Sequence, residues 1–386
     1  MNVTTVPETL SFFKGHMGYL QKQGFDIETV ASPGTPGALF GPPPDGVFHP
    51  LPMSRSIDPR RDAASLMRLV RLFRSRRPDI VHSHTPKAGL LGTTAARAAR
   101  VPAIMTSVFG LPQMTLHGLK KNLLDLTTRL TCSLAHRVWC DSRSMRDFIV
   151  AEGMCPDRKA IVLGKGSVAG VDAENVFSPK IHGPADRLSI RARYGIPAGS
   201  VVLGFVGRIA RDKGMHELAE AWRGISQEYA DLHLLLIGGW DARDPIPSSD
   251  ERLFRSSPRI HLVGQTKEVA AHLAAMDIFV MPSFREGFGL SNIEASSMEL
   301  PIVSTRIPGC IDSVQDGLTG TLVPARTISP LAEAIRRYLD DPRLRQEHGR
   351  AGRRRVLKDF RPETIWRDLY REYCRLLGRV PSAEER

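Results

Sequence analysis

The stretch Val201-Val202-Leu203-Gly204-Phe205-Val206-Gly207-Arg208-Ile209-Ala210-Arg211-Asp212-Lys213-Gly214 decides how the chain folds. Its first six residues are apolar apart from one glycine, which reads as a strand covered on both faces of a parallel sheet. A basic turn follows, and Met215 to Tyr229 then runs at helical spacing. In open α/β sheets the carboxyl ends of strands and the amino ends of helices face the ligand crevice. Backbone N–H groups and the helix dipole favour phosphate there. Arg208 and Lys213, on either side of the turn that opens at Gly207, can therefore meet a diphosphate from two sides, Arg as a fork and Lys as a point charge.

The same strand, loop and helix pattern recurs at Met281-Pro282-Ser283-Phe284-Arg285-Glu286-Gly287-Phe288-Gly289-Leu290-Ser291-Asn292-Ile293-Glu294-Ala295. Glu286 sits in the loop, where its carboxylate can reach a bound sugar, and Glu294 lies one turn inside the helix. Gly287 and Gly289 let the backbone approach a ligand closely. A carboxylate accepting both hydroxyls of a ribose is a common solution to nucleotide recognition. Between and beyond these two motifs we expect strands at Leu232–Ile237, Ile260–Val263, Ile278–Met281 and Pro301–Ser304, with helices at Lys267–Met276, Leu290–Leu300 and Pro330–Leu339.

The front half shows the same alternation. Strands are expected at Asn2–Val6, Phe25–Ser32, Asp79–His84, Ala103–Val108, Arg137–Asp141 and Ala160–Gly164. Helical spacing runs over Arg60–Arg76, Pro86–Arg100, Leu119–His136 and Ser144–Glu152. From Ser167 to Ser200 the periodicity fades into a segment that reads as an interdomain connection. The expected architecture is α/β: two Rossmann-like doubly wound domains facing a cleft, over residues 1–180 and 181–363. The amphipathic tail, 364–386, is expected to form a helix that packs back on the N-terminal domain.

Composition narrows the chemistry. The 386 residues include five scattered cysteines without a CxxC pair, so neither a disulfide framework nor a zinc cluster is expected. No metal site and no cofactor are read in the sequence. No apolar run approaches the roughly 18 to 20 residues that span a bilayer, and no secretory signal is seen, which points to the cytoplasm. Residues 1 to 180 hold 23 Lys/Arg against 14 Asp/Glu, whereas residues 181 to 386 hold 30 against 27. That front-half excess suits an anionic partner. With aromatics at 6% and no reading-helix or RNA-binding signature, nucleic acid is not expected to be that partner.

A Glu, seven residues, then Glu, preceded by a strand and a G-R-x-x-x-x-K-G turn, resembles the signature of the retaining, GT-B-fold glycosyltransferases of the group 1, or family 4, class. The resemblance covers most of the chain. It implies transfer of a sugar from a nucleotide diphosphate sugar, with uridine diphosphate as the donor nucleotide. Arg208 and Lys213 would hold the diphosphate, Glu294 the ribose and Glu286 the sugar hydroxyls, with the Phe288 and Gly289 amides and Leu290 nearby. His84, in His82-Ser83-His84-Thr85-Pro86-Lys87-Ala88-Gly89, matches the family histidine that faces the donor sugar. His82 is expected to alternate to the other side of the strand and to be structural. No metal is implied, since two cations take its place.

The opening loop, Thr5-Val6-Pro7-Glu8-Thr9-Leu10, departs from the family's glycine-rich loop. Glu8, His16 and Lys87 are the acceptor-side candidates. Thr5-Val6-Pro7-Glu8-Thr9, the His84–Gly89 run and Gly164-Lys165-Gly166-Ser167 together resemble a bacterial subgroup that builds surface polysaccharides on polyprenyl diphosphate carriers. The acceptor is accordingly expected to be a saccharide, lipid-linked. Phe109 to Lys121 combines apolar residues that read as exposed with a basic pair, which suits peripheral docking on the inner face of an anionic membrane. A nucleotide-sugar 2-epimerase and a non-catalytic nucleotide-sugar-binding protein share this architecture and are the rival readings.

Overall fold

The computed structural model describes residues 1–33, 46–54, 56 and 58–382. They divide into two compact units, Met1–Gly170 with Pro362–Arg386, and Val171–Arg361. The division thus falls at 170/171 rather than at 180/181, and the chain returns to the first unit at Pro362.

In the first unit the strands are β1 (Asn2–Val3), β2 (Glu28–Ala31), β3 (Val47–Pro50), β4 (Ile80–Ser83), β5 (Ala103–Val108), β6 (Arg137–Cys140) and β7 (Ala160–Val162). All pair in parallel, in the order β3-β2-β1-β4-β5-β6-β7. The second unit holds β8 (Val201–Val206), β9 (Leu232–Ile237), β10 (Ile260–Gly264), β11 (Ile278–Met281), β12 (Ile302–Thr305) and β13 (Gly320–Val323), again parallel, in the order β10-β9-β8-β11-β12-β13. Each sheet is a Rossmann-like doubly wound arrangement. Strand order reverses between β1 and β4 in one and between β8 and β11 in the other, and ligands of such sheets bind at that reversal, outside the carboxyl ends.

Side-chain alternation along β6 shows how the first sheet is covered on both faces. Val138 and Cys140 join a core with Leu69, Phe73, Leu91 and Ile149, from the helices Pro59–Arg76, Pro86–Ala98 and Arg143–Ala151. Trp139, between them, points to the other face and packs with Met17, Leu20, Leu369 and Tyr373, from the helices Lys14–Lys22 and Pro362–Leu376. The tail helix therefore belongs to the first unit. Its Asp368 accepts a hydrogen bond from the Gly164 N–H at 2.9 Å, so the Gly164–Ser167 segment anchors the tail.

Two expectations change. The segment from Ser167 to Ser200 is not merely a connection: Pro184–Arg193 is a helix, started by Pro184 at its first turn. Its Arg191 is fully buried and ion-pairs with Asp277 at 2.7 Å. Asp277 also accepts from Arg187 at 2.6 Å and from the Val202 N–H at 2.8 Å, tying this helix to β8. The apolar residues at the start of the Phe109–Lys121 stretch face inward rather than outward. Leu111 is buried, and Phe109 meets Trp139 edge to face at 5.1 Å. Exposed apolar side chains begin only at Leu119.

Candidate functional site

The two charged motifs, more than seventy residues apart in sequence, follow adjacent strands. The Gly207–Gly214 turn leaves the carboxyl end of β8 and the Pro282–Gly289 loop leaves that of β11, which pairs with β8 at the reversal of strand order. Main-chain contacts join the turn to the loop. The Phe284 N–H donates to the Asp212 carbonyl at 2.8 Å. Gly214 has φ +68°, and a Cβ there would lie 2.0 Å from the Pro282 carbonyl oxygen. Only glycine allows that approach.

Their side chains form an alternating chain of charge. Arg243 and Arg208 both bind Asp241, Arg208 also binds Asp212 at 3.0 Å, and Asp212 accepts from Arg285 at 2.5 Å. Burial by itself would raise the Asp212 carboxyl. The Arg285 hydrogen bond and the charges of Arg208 and Lys213 outweigh it and hold the group below the usual carboxylate range. Asp212 and Asp241 thus fix the guanidinium of Arg208 from two sides while its side chain stays 41% exposed. Lys213 donates to Glu286 at 2.5 Å. The structure therefore brings Arg208, Lys213 and Glu286 together and adds Arg285, Asp212 and Asp241. Asp212 and Arg285 sit inside the two motifs and were open to notice. Asp241 lies beyond the end of β9, and no local pattern marks it.

Glu294 stands apart from this network. It lies within the Leu290–Ser297 helix, half-buried, and its carboxylate has no hydrogen-bond or ion-pair partner among the described residues. Burial pushes it up to about 7. The Gly287-Phe288-Gly289 backbone before it is anchored by the Phe288 ring, buried edge to face on Phe360 at 5.3 Å. Gly309 backs the same segment: a Cβ there would meet the Gly287 carbonyl oxygen at 2.5 Å. A free, costly carboxylate beside an approachable backbone is what a dihydroxyl ligand requires, because two hydroxyl donors would replace its lost hydration.

In the first unit His84 follows β4, beside β1 at the reversal point. It is buried. Nε2 lies 2.9 Å from the Asn2 side-chain oxygen and Nδ1 3.1 Å from the Ser107 hydroxyl, while burial first, and the neighbouring charges next, lower its pKa well below the usual value. His82 does not turn to the opposite side. Residues two apart on a strand share a face, and the two imidazoles lie 4.1 Å apart. Thr5 and Thr85 join the two neighbouring segments through a 2.6 Å hydroxyl contact. Of the acceptor-side candidates, Glu8 is half-buried in the short Pro7–Phe13 helix. His16 is enclosed, with its ring among Phe13, Trp139 and Trp366 and its pKa lowered to about 3 by burial. Lys87 is held by both oxygens of Asp62, at 2.6 and 2.7 Å.

Among the described residues one group of possible metal ligands gathers, His216, Glu220 and Asp250. Arg223 already ion-pairs with both carboxylates, and His216 Nδ1 donates to Asp250 at 2.7 Å. Among the described residues no helix is long and apolar enough to cross a membrane.

Both halves of the chain are similar to known proteins. The family described as "Glycosyl transferases group 1" matches residues 200–341, and "Glycosyl transferase 4-like domain" matches residues 16–166. The capsular polysaccharide biosynthesis glycosyltransferase CapM of Staphylococcus aureus is 31% identical, covering 96% of each chain. The UDP-Gal:alpha-D-GlcNAc-diphosphoundecaprenol alpha-1,3-galactosyltransferase of Escherichia coli is 26% identical, over 83% of this chain and 82% of its own. Among solved structures, sucrose-phosphate synthase of Thermosynechococcus elongatus superposes with a TM-score of 0.81 at 20% identity, over 98% of both chains, and shares the two-domain GT-B fold. With both halves of the chain matched in order and a relative alike along nearly its whole length, the chain belongs to the group 1 glycosyltransferases and is a glycosyltransferase enzyme.

Proposed function

We propose that this enzyme is a retaining transferase that takes a sugar from a UDP-sugar and places it on a polyprenyl-diphosphate-linked saccharide in surface polysaccharide synthesis. The observation that carries the donor side is the cluster Arg208, Lys213 and Arg285 at the carboxyl ends of β8 and β11, two of them braced by Asp212. Three cations there can stabilise the charge that grows on a departing diphosphate, without a metal ion. In the step we infer, the anomeric carbon–oxygen bond to the diphosphate breaks and the acceptor hydroxyl bonds to the same face of the sugar. The hydroxyl proton passes to the leaving diphosphate oxygen.

Glu294 would take the ribose hydroxyls, Glu286 the sugar hydroxyls, and the Phe288 and Gly289 amides would lie alongside. Glu286 must then share or release Lys213 when the donor arrives. His84 enters this reading as a neutral imidazole. On the acceptor side the half-buried Glu8 is the candidate, being neither enclosed like His16 nor ion-paired like Lys87. The names of the capsular and undecaprenyl-linked relatives support the choice of acceptor. The front-half basic excess supports a station at an anionic membrane surface.

A thermal-shift screen against nucleoside diphosphates and nucleotide sugars tests the reading. Selective stabilisation by uridine diphosphate, absent in Glu294→Ala and Lys213→Ala, is expected. Equal response of both variants and the parent chain would refute the site.

A further inference from the structure

We infer that the first unit docks on an anionic lipid surface through the outer faces of two helices in one layer, Gly118–Leu134 and Pro59–Arg76. This locates the membrane station in the functional reading above and rests on it for its purpose, but not for its observations. The contact surface keeps only the end of the Phe109–Lys121 stretch, Leu119 and Lys120, since the early apolar residues of that stretch are turned inward.

Leu119, Leu123, Leu126 and Leu130 are 87, 47, 61 and 46% exposed. At about 100° per residue they fall within roughly 60° of arc, and they run about 17 Å along the helix. Lys120 and Arg129 flank the stripe on opposite sides, both exposed. The helix's one acid, Asp125, is buried on the inner face against Lys121. An acid from a neighbouring element, Glu152, pairs with Lys121 on the side away from the leucines. A solvent-facing leucine stripe edged by cations, with no acid of its own, is the pattern of a helix that lies in the headgroup boundary with its apolar side down.

The neighbouring helix supplies charge. Pro59–Arg76 packs on Pro86–Ala98, which packs on Gly118–Leu134, so the three share one layer over the sheet. Along its outer face Arg60, Met67, Arg71 and Arg74 line up at helical spacing with Arg68 beside them, all exposed. Asp62 is turned to Lys87 instead. Arg68 and Arg71 have no partner among the described residues, although they sit in a chain rich in surface ion pairs. Unpaired guanidinium groups beside an exposed leucine stripe match lipid phosphates and acyl chains together. A second copy of the same basic face would be repelled.

The test is co-sedimentation of the full chain with vesicles of phosphatidylglycerol and phosphatidylcholine, and of phosphatidylcholine alone, at low and high salt. We expect binding to the anionic vesicles only, weakened by salt. L123N/L126N should lower the partition constant by on the order of tenfold or more. R68E/R71E should lower it at least as much and flatten its salt dependence. Both variants alter exposed side chains and should keep the parent melting temperature and nucleotide response. A nucleotide response lost while vesicle binding persists would sink the donor-site reading and leave this one standing. Absence of vesicle binding, equal binding to neutral vesicles, or a dimer by sedimentation velocity that L123N/L126N dissolves would each overturn the lipid assignment.

Discussion

At the scale of single residues the donor side is a matter of which charges are held and which are left free. Glu294 is the free one, and its pKa of about 7 comes from burial alone. A carboxylate so raised costs the folded state above that pH, and the cost is relieved as the group takes up a proton on acidification. Ribose recognition needs the ionised form, so affinity should move the other way. A nucleotide sugar, whose diphosphate has no second proton to lose, should bind about tenfold more weakly at pH 6 than at pH 8 by calorimetry. In Glu294→Gln the pH dependence should vanish and the chain should melt higher at pH 8. Lys213→Ala removes a cation and leaves Glu286 unpaired, and turnover should fall roughly 10²-fold or more. Asp212→Asn acts through others. With Arg285 released and Arg208 held by Asp241 alone, the donor Kd should rise about tenfold, whereas a purely structural role would lower the melting temperature without changing the Kd.

At the scale of elements, most of the sheet scaffold was legible because parallel strands buried on both faces leave unbroken apolar runs. Val201–Val206, Leu232–Ile237, Ala103–Val108 and Ile278–Met281 were all read from such runs and lie where expected. What escaped reading lacked that mark. β3, Val47–Pro50, is an edge strand with a half-exposed pattern, and Pro184–Arg193 is polar enough to pass for a linker, since the residue it buries most deeply is Arg191. The same holds at the site. Arg208, Lys213, Glu286 and Glu294 were singled out as candidates from the two motifs and the family they resemble, whereas Asp241, which holds Arg208, depends on β9 ending beside β8, which only the fold supplies. The helix that looked like a linker also carries a measurable burden. Asp277 collects two arginines and a backbone N–H, so Asp277→Ala should destabilise the second unit by about 3–5 kcal/mol in urea unfolding. A loss below 1 kcal/mol would mean the three donors find water instead.

At the scale of the molecule the two units have separate cores, and the first is unusual in burying three imidazoles among aromatic rings. His16, His82 and His84 all have pKa values lowered, with burial the largest cause, His16 to about 3. The sign follows from linkage. In the unfolded chain each ring takes a proton near pH 6.5, and in the folded unit it does not, so folding stability is fully present above pH 6.5. It falls as pH drops below that value toward the folded pKa. Three such groups should cost the first unit on the order of 3 kcal/mol between pH 6.5 and 5.5. Tryptophan can report on that unit alone. Trp139 and Trp366 belong to it, and Trp222 and Trp240 to the other. In a Trp222→Phe, Trp240→Phe chain the urea midpoint by fluorescence should therefore drop steeply from pH 7 to 5.5. Replacing His16, whose ring lies among Phe13, Trp139 and Trp366, by Phe should remove about a third of that slope. A flat midpoint would show that the cluster admits protons while folded, and that the imidazole beside the reversal of the first sheet can carry charge at neutral pH after all.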